Sequence, residues 1–303
     1  MHRDIGHAAA FGGKEWTVVE TAFDPARAAQ AESVLAVGNG FLGARGRLEE
    51  DDGAVPAVYL NGVYETLPIH YHEKAPGFAT ASDSRLPVPS GLAIAILIDE
   101  VPVDHAHGAF LAHERVLDLR TGVLYRRFTW RAPSGRRFEI ATERLASFDD
   151  PSLLALSVDV TALDGAGDVQ ISSRLVPPAQ PQPDTATAVH DPRVGPALDA
   201  HSLISEAVID EADAAGLIQR ARMSGHGVAC LMAHDLGGPT PTARRQSVTP
   251  AGAKADMTIA LAKGESVRLV KYVAYASDRG NRDSDMLGQA RSSLARALAR
   301  GFA

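Results

Sequence analysis

The chain has 303 residues, 45% apolar and 22% charged, with a formal charge of -7 and a pI near 5.9. That length and apolar content suffice for one large buried core or two ordinary ones, and they exclude disorder and fibrous repeats. The acidic balance supplies no field that would gather nucleic acid, and no run reaches the roughly 20 apolar residues of a membrane helix.

The start, Met1 to His7, has acid and imidazole where an export signal needs a basic stretch and then an apolar run. A single cysteine, Cys230, sits among Val228, Ala229, Leu231 and Met232, which predicts an inert core thiol and a cytoplasmic setting. The first predicted element is a short helix over Pro25 to Glu32, with Asp24 as cap and Pro25 at the first position. From about Val55 to Ala276 the chain runs as short stretches of period-two alternation punctuated by Gly, Pro and Asp, the rhythm of a β sandwich. Leu92, Ile94, Ile96 and Ile98 alternate with Ala93, Ala95 and Leu97, so both faces are apolar and the strand is expected to be central. Val123 to Ala132 and Arg137 to Ser147 flank Pro133-Ser134-Gly135-Arg136 and predict a hairpin. Leu154 to Val160 and Val169 to Leu175, joined at Asp164 to Asp168, extend this as a meander.

Six prolines between Pro177 and Pro196 forbid regular pairing there and predict an exposed excursion. Strands resume at Leu217 to Arg222, Gly227 to Ala233, Arg244 to Thr249, Met257 to Ala262 and Val267 to Ala276, with Lys263-Gly264-Glu265 as a tight hairpin-type turn between the last two. After Asp283-Ser284, either of which suits a cap, Leu287, Ala290, Leu294, Ala297 and Leu298 recur at helical spacing. That stripe needs a partner surface, and its arrival at Ala303 with no following helix predicts a chain that continues in its parent protein.

Few motifs carry chemistry. Gly38-Asn39-Gly40-Phe41-Leu42-Gly43 fits a dinucleotide fingerprint in letters, but no helix and no βαβ unit follows, so tight turns are expected instead. His70, His72, His105, His107 and His113 suggest a cupin-like metal site, yet further ligands are missing at any recognisable offset, and no metal is assigned. Glu49 to Asp52 and Asp149-Asp150 read as solvated turns, because glycosidic chemistry needs carboxylates opposed across a substrate rather than adjacent in sequence. Arg45 and Arg47 are candidates to pair with Glu32, Glu49 or a partner carboxylate, with a role at a sugar site as the alternative. No nucleophile elbow, zinc-protease motif or phosphate loop occurs, and no catalytic residue is assigned.

Glu32 to Gly46 (ESVLAVGNGFLGARG) resembles the Glu-Ser-x-Phe-Ala-x-Gly-Asn-Gly-Tyr-Leu-Gly-x-Arg-Gly signature near the start of glycoside hydrolase family 65 proteins, departing at Val34 and Phe41. Tyr59 to Glu65, Leu86-Pro87, Ile98-Asp99 and Glu114 to Leu124 follow in the family's order. The resemblance implies a mainly β fold, a large antiparallel super-β-sandwich similar to galactose mutarotase over residues 1–276, and a C-terminal linker helix in 277–303 leading to an (α/α) barrel. It implies a parent enzyme that phosphorolyses or hydrolyses α-linked glucose disaccharides such as maltose, trehalose, kojibiose or nigerose. In that scheme a barrel glutamate is the general acid, inorganic phosphate is the co-substrate, and no cofactor is needed. The barrel, the disaccharide and a second copy of the chain are the partners it implies; the chain itself is expected to be non-catalytic. Asn61, Tyr64, Glu65, Tyr71 and His72 combine amide, carboxylate and aromatic groups of the kind that stack on and hydrogen-bond a sugar, and are the substrate-binding candidates. A stand-alone carbohydrate-binding module is the alternative reading, and a cupin-like metalloenzyme the third.

Overall fold

Alternating apolar residues leave each strand with one face to bury, and the chain does this by stacking sheets. The computed structural model describes residues 15–51, 56–69, 71, 73, 75–178, 202–278, 281 and 285–302. The chain begins with β1 (Thr17–Glu20), a 3-10 turn at Pro25–Arg27 and α1 (Ala28–Val34). Then come β2 (Val37–Gly38), β3 (Leu42–Ala44), β4 (Val58–Pro68), β5 (Ala81–Pro87), β6 (Ile94–Ile98) and β7 (Val101–Pro102). The middle holds β8 (Ala109–Asp118), β9 (Val123–Arg131), β10 (Arg137–Ala146), β11 (Leu153–Ala162) and β12 (Gly167–Leu175). The last run is β13 (Leu203–Asp210), β14 (Ala215–Ala221), β15 (Gly227–Gly237), β16 (Ala243–Thr249), β17 (Gly252–Leu261), β18 (Ser266–Ser277) and α2 (Met286–Arg300).

Among the described residues these strands form three antiparallel sheets. One has nine strands in the order β1-β8-β9-β10-β11-β18-β15-β14-β13, one has five (β16-β17-β12-β6-β7) and one has four (β2-β3-β4-β5). A single apolar core joins them: Leu154, Leu156, Val158 and Val160 of β11 share it with Ile96 of β6, Ile171 of β12 and Leu60 of β4. The fold is therefore the mainly β sandwich that the alternation predicts, with the two smaller sheets covering one face of the large one.

Local readings and long-range pairings part company at the turns. The Pro133 to Arg136 hairpin forms as expected, with Gly135 at φ +86° and Arg137 opposite Arg131. The Lys263-Gly264-Glu265 turn forms too, with Gly264 at φ +83°, but it is not a hairpin: β17 belongs to the five-stranded sheet and β18 to the nine-stranded one. The turn at Asp164 to Asp168 likewise carries the chain from β11 in the large sheet to β12 in the five-stranded sheet, so the meander ends at β11. Both turns are sheet crossings because the residues after them find their apolar partners on the facing layer. β6 is second from the sheet edge rather than central, since β7 beside it is only two residues long. Edge strands β1 and β13 escaped the alternation reading; five of the eight residues of β13 are exposed, which blunts its pattern.

Asp24 caps the first helical segment as predicted, its Oδ1 accepting from the Ala26 N–H at 3.0 Å. Asp283 and Ser284 lie outside the described residues; the cap of α2 is Asp285, whose Oδ1 accepts from the Gly288 N–H at 2.8 Å. The partner surface for the α2 stripe is the outer face of the nine-stranded sheet. Met286, Ala290, Leu294 and Ala297 pack there against Leu231, Tyr272 and Ala274, while Leu298 stays exposed. Burying a side chain such as Leu294 contributes roughly 1.5–3 kcal/mol, and the four buried side chains together supply the apolar part of the docking. Asp150 and Asp149, expected in a solvated turn, reach this helix: Asp150 accepts from Ser293 Oγ at 2.8 Å and from Arg296 at 2.6 Å, and Asp149 from Arg300 at 2.9 Å. The Pro-rich excursion lies outside the described residues from 179 to 201. No described helix is long and apolar enough to cross a membrane.

Candidate functional site

The glycine block builds one wall of an open cleft. Val37–Gly38 and Leu42–Ala44 pair as a minimal hairpin, and Gly40 at φ +89° makes its turn. Asn39 fixes that turn twice over. Its Oδ1 accepts from the Phe41 and Leu42 N–H groups at 3.1 and 2.8 Å, and its Nδ2 donates to the carbonyls of Ser147 and Pro151 at 2.6 and 3.1 Å. A turn saturated by its own Asn has no use for a pyrophosphate, as the missing helix predicted. Gly46 is needed for close approach, because a Cβ there would sit 2.6 Å from Leu35.

β4, paired with β3 in the same sheet, lines the rest of the cleft. It bends where its register against β5 shifts between Tyr59 and Tyr64, with Gly62 at φ +84°. The bend presents Asn61 to a cleft of about 440 Å³ lined also by Phe41, Tyr59 and Arg85. The Arg85 side chain makes no ion pair or hydrogen bond among the described residues. Two aromatic rings, an amide and an unpaired guanidinium are equipment for holding a sugar ring and its hydroxyls.

The other candidate residues diverge. Glu65 is 1% exposed and accepts from the backbone N–H of Met223 at 3.1 Å and of Ser224 at 2.6 Å. The Tyr64 carbonyl accepts from Ser224 Oγ at 2.6 Å, and the Tyr64 ring lies 4.4 Å from that of His226. Tyr64 and Glu65 are thus engaged together with the β14–β15 turn. Tyr71 packs its ring 4.8 Å from Phe78 in a separate loop, and His72 lies outside the described residues. Of the four described candidates, Asn61 lines the cleft, Tyr64 and Glu65 engage the β14–β15 turn, and Tyr71 packs on Phe78.

The largest departure from the sequence reading concerns Glu49 and Glu50, which are not solvated. Glu49 accepts from Arg144 at 2.6 Å and Arg126 at 3.1 Å, and Glu50 takes both terminal nitrogens of Arg126 at 2.6 and 2.7 Å. Arg144 also donates to the carbonyls of Arg45 and Arg47, clamping the signature segment onto β10. Beside this network Arg115 pairs with Glu20 at 2.5 Å and donates to the Gly46 carbonyl at 2.7 Å. Arg45 and Arg47 both turn to Glu32, at 2.9 and 3.6 Å, as one of their expected partners. Burial alone would raise the Glu49 carboxyl, but the guanidiniums of Arg144 and Arg126 overcome it and hold the group down at about 2. A carboxyl that stays ionised cannot be a general acid, and the void beside it holds about 10 Å³, one water at most. The sequence offers Arg45 and Arg47 as partners for Glu49, whereas the arginines that hold it come from strands 77 and 95 positions away, which local spacing does not reveal.

The histidines are equally occupied. His113 is kept neutral, near 3, by burial and then by Arg126 and Arg115, and Arg126 Nε donates to it at 3.3 Å. His105 stacks between Phe23 and Phe110, and His107 Nδ1 lies 2.8 Å from Asp104. Among the described residues no group of three or more His, Cys, Asp or Glu is placed to hold a metal; His70 and His72 lie outside them. Burial pushes the Cys230 thiol up, so it remains a protonated core group.

Comparison with known proteins gives a consistent result. A family model described as "Glycosyl hydrolase family 65, N-terminal domain" matches residues 18–303. An uncharacterized glycosyl hydrolase of Mycobacterium leprae (strain TN) is 35% identical over 269 residues, covering 88% of this chain and 33% of the relative. An α,α-trehalose phosphorylase of Thermoanaerobacter brockii is 25% identical over 294 residues, 95% of this chain and 38% of the relative. Among solved structures, a putative kojibiose phosphorylase from the human microbiome superposes with TM-score 0.79 at 18% identity, covering 96% of this chain and 36% of that one. The chain spans about a third of the length of the relatives it matches.

Proposed function

This chain belongs to glycosyl hydrolase family 65, as its N-terminal domain, and from that premise we propose that it is the non-catalytic scaffold of a cytoplasmic enzyme that phosphorolyses or hydrolyses α-linked glucose disaccharides. The observation that carries this reading is the state of its buried acids. Glu49 is ion-paired to two arginines and held ionised, and both Glu65 oxygens are taken by backbone amides, so neither carboxyl is placed to reach a glycosidic oxygen. The general acid belongs to polypeptide outside this chain, in a helical barrel, where inorganic phosphate or water attacks the anomeric carbon from the opposite face. No cofactor takes part.

The cleft of Phe41, Tyr59, Asn61 and Arg85 is the sugar-facing surface of the scaffold. It also supports the second reading, a carbohydrate-binding module that works alone. One experiment separates them. The purified chain is assayed with maltose, trehalose, kojibiose and nigerose, with and without phosphate, and its affinity for each is measured in parallel. Release of glucose or glucose 1-phosphate would overturn the non-catalytic assignment. Affinity lost on Asn61→Ala would favour the module, and no affinity for any of the four favours the scaffold.

A further inference from the structure

The large apolar side chains that stay in water are not scattered over this molecule. Among the described residues the five most exposed are Phe148 at 72%, Met223 at 60%, Leu119 at 53%, Phe78 at 51% and Trp16 at 50%. Exposed apolar groups occur singly on any protein surface, whereas several in one place mark a contact face. Four of these five share one end of the nine-stranded sheet, and the fifth, Phe78, is on the β4–β5 hairpin that Glu65 fastens to the β14–β15 turn at that end.

The strand registers fix this placement. Asp118 of β8 faces Val123 of β9, Val123 faces Leu145 of β10, Ala146 faces Leu154 of β11, and Leu153 faces Ala274 of β18. The same end continues through Ser277 opposite Val228 of β15 and Gly227 opposite Arg220 of β14. Leu119, Phe148 and Met223 lie in the β8–β9, β10–β11 and β14–β15 turns that close it. Trp16 joins from in front of β1, its carbonyl accepting from the Leu119 N–H at 2.9 Å and its ring 5.7 Å from the Arg120 guanidinium carbon. Phe148 lies against the β8–β9 turn, where a Cβ at Gly122 would be 3.4 Å from its ring. Trp16, Leu119 and Phe148 therefore form one continuous patch.

α2 crosses the outer face of the sheet at this same end. It begins with Met286 beside Gly227, where an added Cβ would meet the Met286 Cε at 2.7 Å, and its last turns hold Asp150 and Asp149, next in the chain to Phe148. The cleft wall adjoins too, because Asn39 donates to the Ser147 and Pro151 carbonyls on either side of these residues. The chain is an N-terminal domain spanning 33% and 38% of two longer relatives. We propose that this end of the sandwich is the face on which the polypeptide following α2, the helical barrel of the proposed function, docks, with Phe148, Leu119, Trp16 and Met223 as its apolar contacts. This rests on the family reading given above. A stable interface between free partners takes roughly 20–30 residues a side, whereas a tethered barrel meets the patch at a high effective concentration and is held by a smaller contact.

Hydroxyl-radical labelling, read residue by residue by mass spectrometry, compares the 303-residue chain with the full-length polypeptide and needs no variant. Labelling of Phe148, Leu119, Trp16 and Met223 should fall about fivefold or more in the full-length protein, because docking excludes water from the contact. Leu111 and Leu163, exposed at the opposite end of the sheet, should label equally in both. The Phe148→Ser/Leu119→Ser double variant should leave the melting temperature of the 303-residue chain unchanged. In the full-length protein it should speed protease cleavage after α2 about tenfold or more, since cleavage follows the undocked population. Equal labelling of the four residues in the two proteins, or a cleavage rate that the double variant does not move, overturns the proposal. Labelling of the 303-residue chain that falls as its concentration is raised overturns it as well, by assigning the face to a second copy. These readouts are independent of turnover: glucose or glucose 1-phosphate released by the 303-residue chain would sink the family reading and leave the labelling pattern as it stands.

Discussion

The carboxylate of Glu65 on β4 receives the backbone N–H of Ser224 at 2.6 Å, joining segments 159 positions apart. The four-stranded sheet and the far side of the nine-stranded sheet are thereby locked to one another through a buried side chain, which makes Glu65 a fastening between layers.

Removing it strands two amides. Glu65→Ala should lower the unfolding free energy by roughly 2–4 kcal/mol, and Glu65→Gln, which keeps one acceptor oxygen, by about 1 kcal/mol. Urea unfolding at pH 7 measures both. A loss within error for the alanine variant would mean that the fastening carries no load.

The Glu49 cluster predicts acid sensitivity of a definite sign. Glu49 is held at about 2 against 4.5 in the unfolded chain, so its stabilisation is complete above pH 4.5 and disappears as pH falls toward 2. His113 and His234, near 3 against 6.5 when unfolded, add a loss between pH 6.5 and 3, since the unfolded state again binds the extra protons. Stability should therefore fall steadily from pH 6.5 downward. Glu49→Gln, less stable at neutrality, should show a shallower slope below pH 4.5. At pH 7, Arg144→Met should cost about 3–5 kcal/mol by leaving Glu49 buried with half its countercharge.

Lys271 extends the same trend to alkaline pH. Its Nζ donates to the carbonyls of Arg174 and Ala93 at 2.6 and 3.2 Å in the sandwich core, and burial depresses it to about 7 from 10.5. Between pH 7 and 10.5 the unfolded chain holds the proton that the folded chain has shed, so stability rises with pH across that window. The difference in unfolding free energy between wild type and Lys271→Met should move in favour of the wild type from pH 7 to 10. A pH-independent difference would place the amine in contact with water.

Gly46 tests the close approach of the signature block. An added Cβ meets the Leu35 Cβ and carbonyl at 2.6 Å, and since the latter is backbone, the contact cannot be relieved by a rotamer change. Gly46→Ala should cost roughly 1–3 kcal/mol, read as a fall in melting temperature. Gly43→Ala, which meets nothing within 4 Å, is the control.

Some of this was written in the chain as read. The alternation of β9, β10, β11 and β12, the segment that Asp24 caps and Pro25 opens, and the glycine turn at Gly40 are local consequences of pleat, ring geometry and φ, and each forms where the residues dictate. The signature from Glu32 to Gly46 likewise identified the family. What the chain could not display is which layer receives each strand. β11 and β12 look alike in pattern yet enter different sheets, because pairing is chosen by apolar partners far along the chain, such as β18 for β11 and β17 for β12. The fate of Glu49 and Glu65 was decided the same way. A carboxylate is buried only when remote donors meet it in the dark of the core, and Arg144 and Ser224 reach these two only after the sheets have closed. Sequence fixes the faces a strand presents; tertiary structure alone decides what those faces meet.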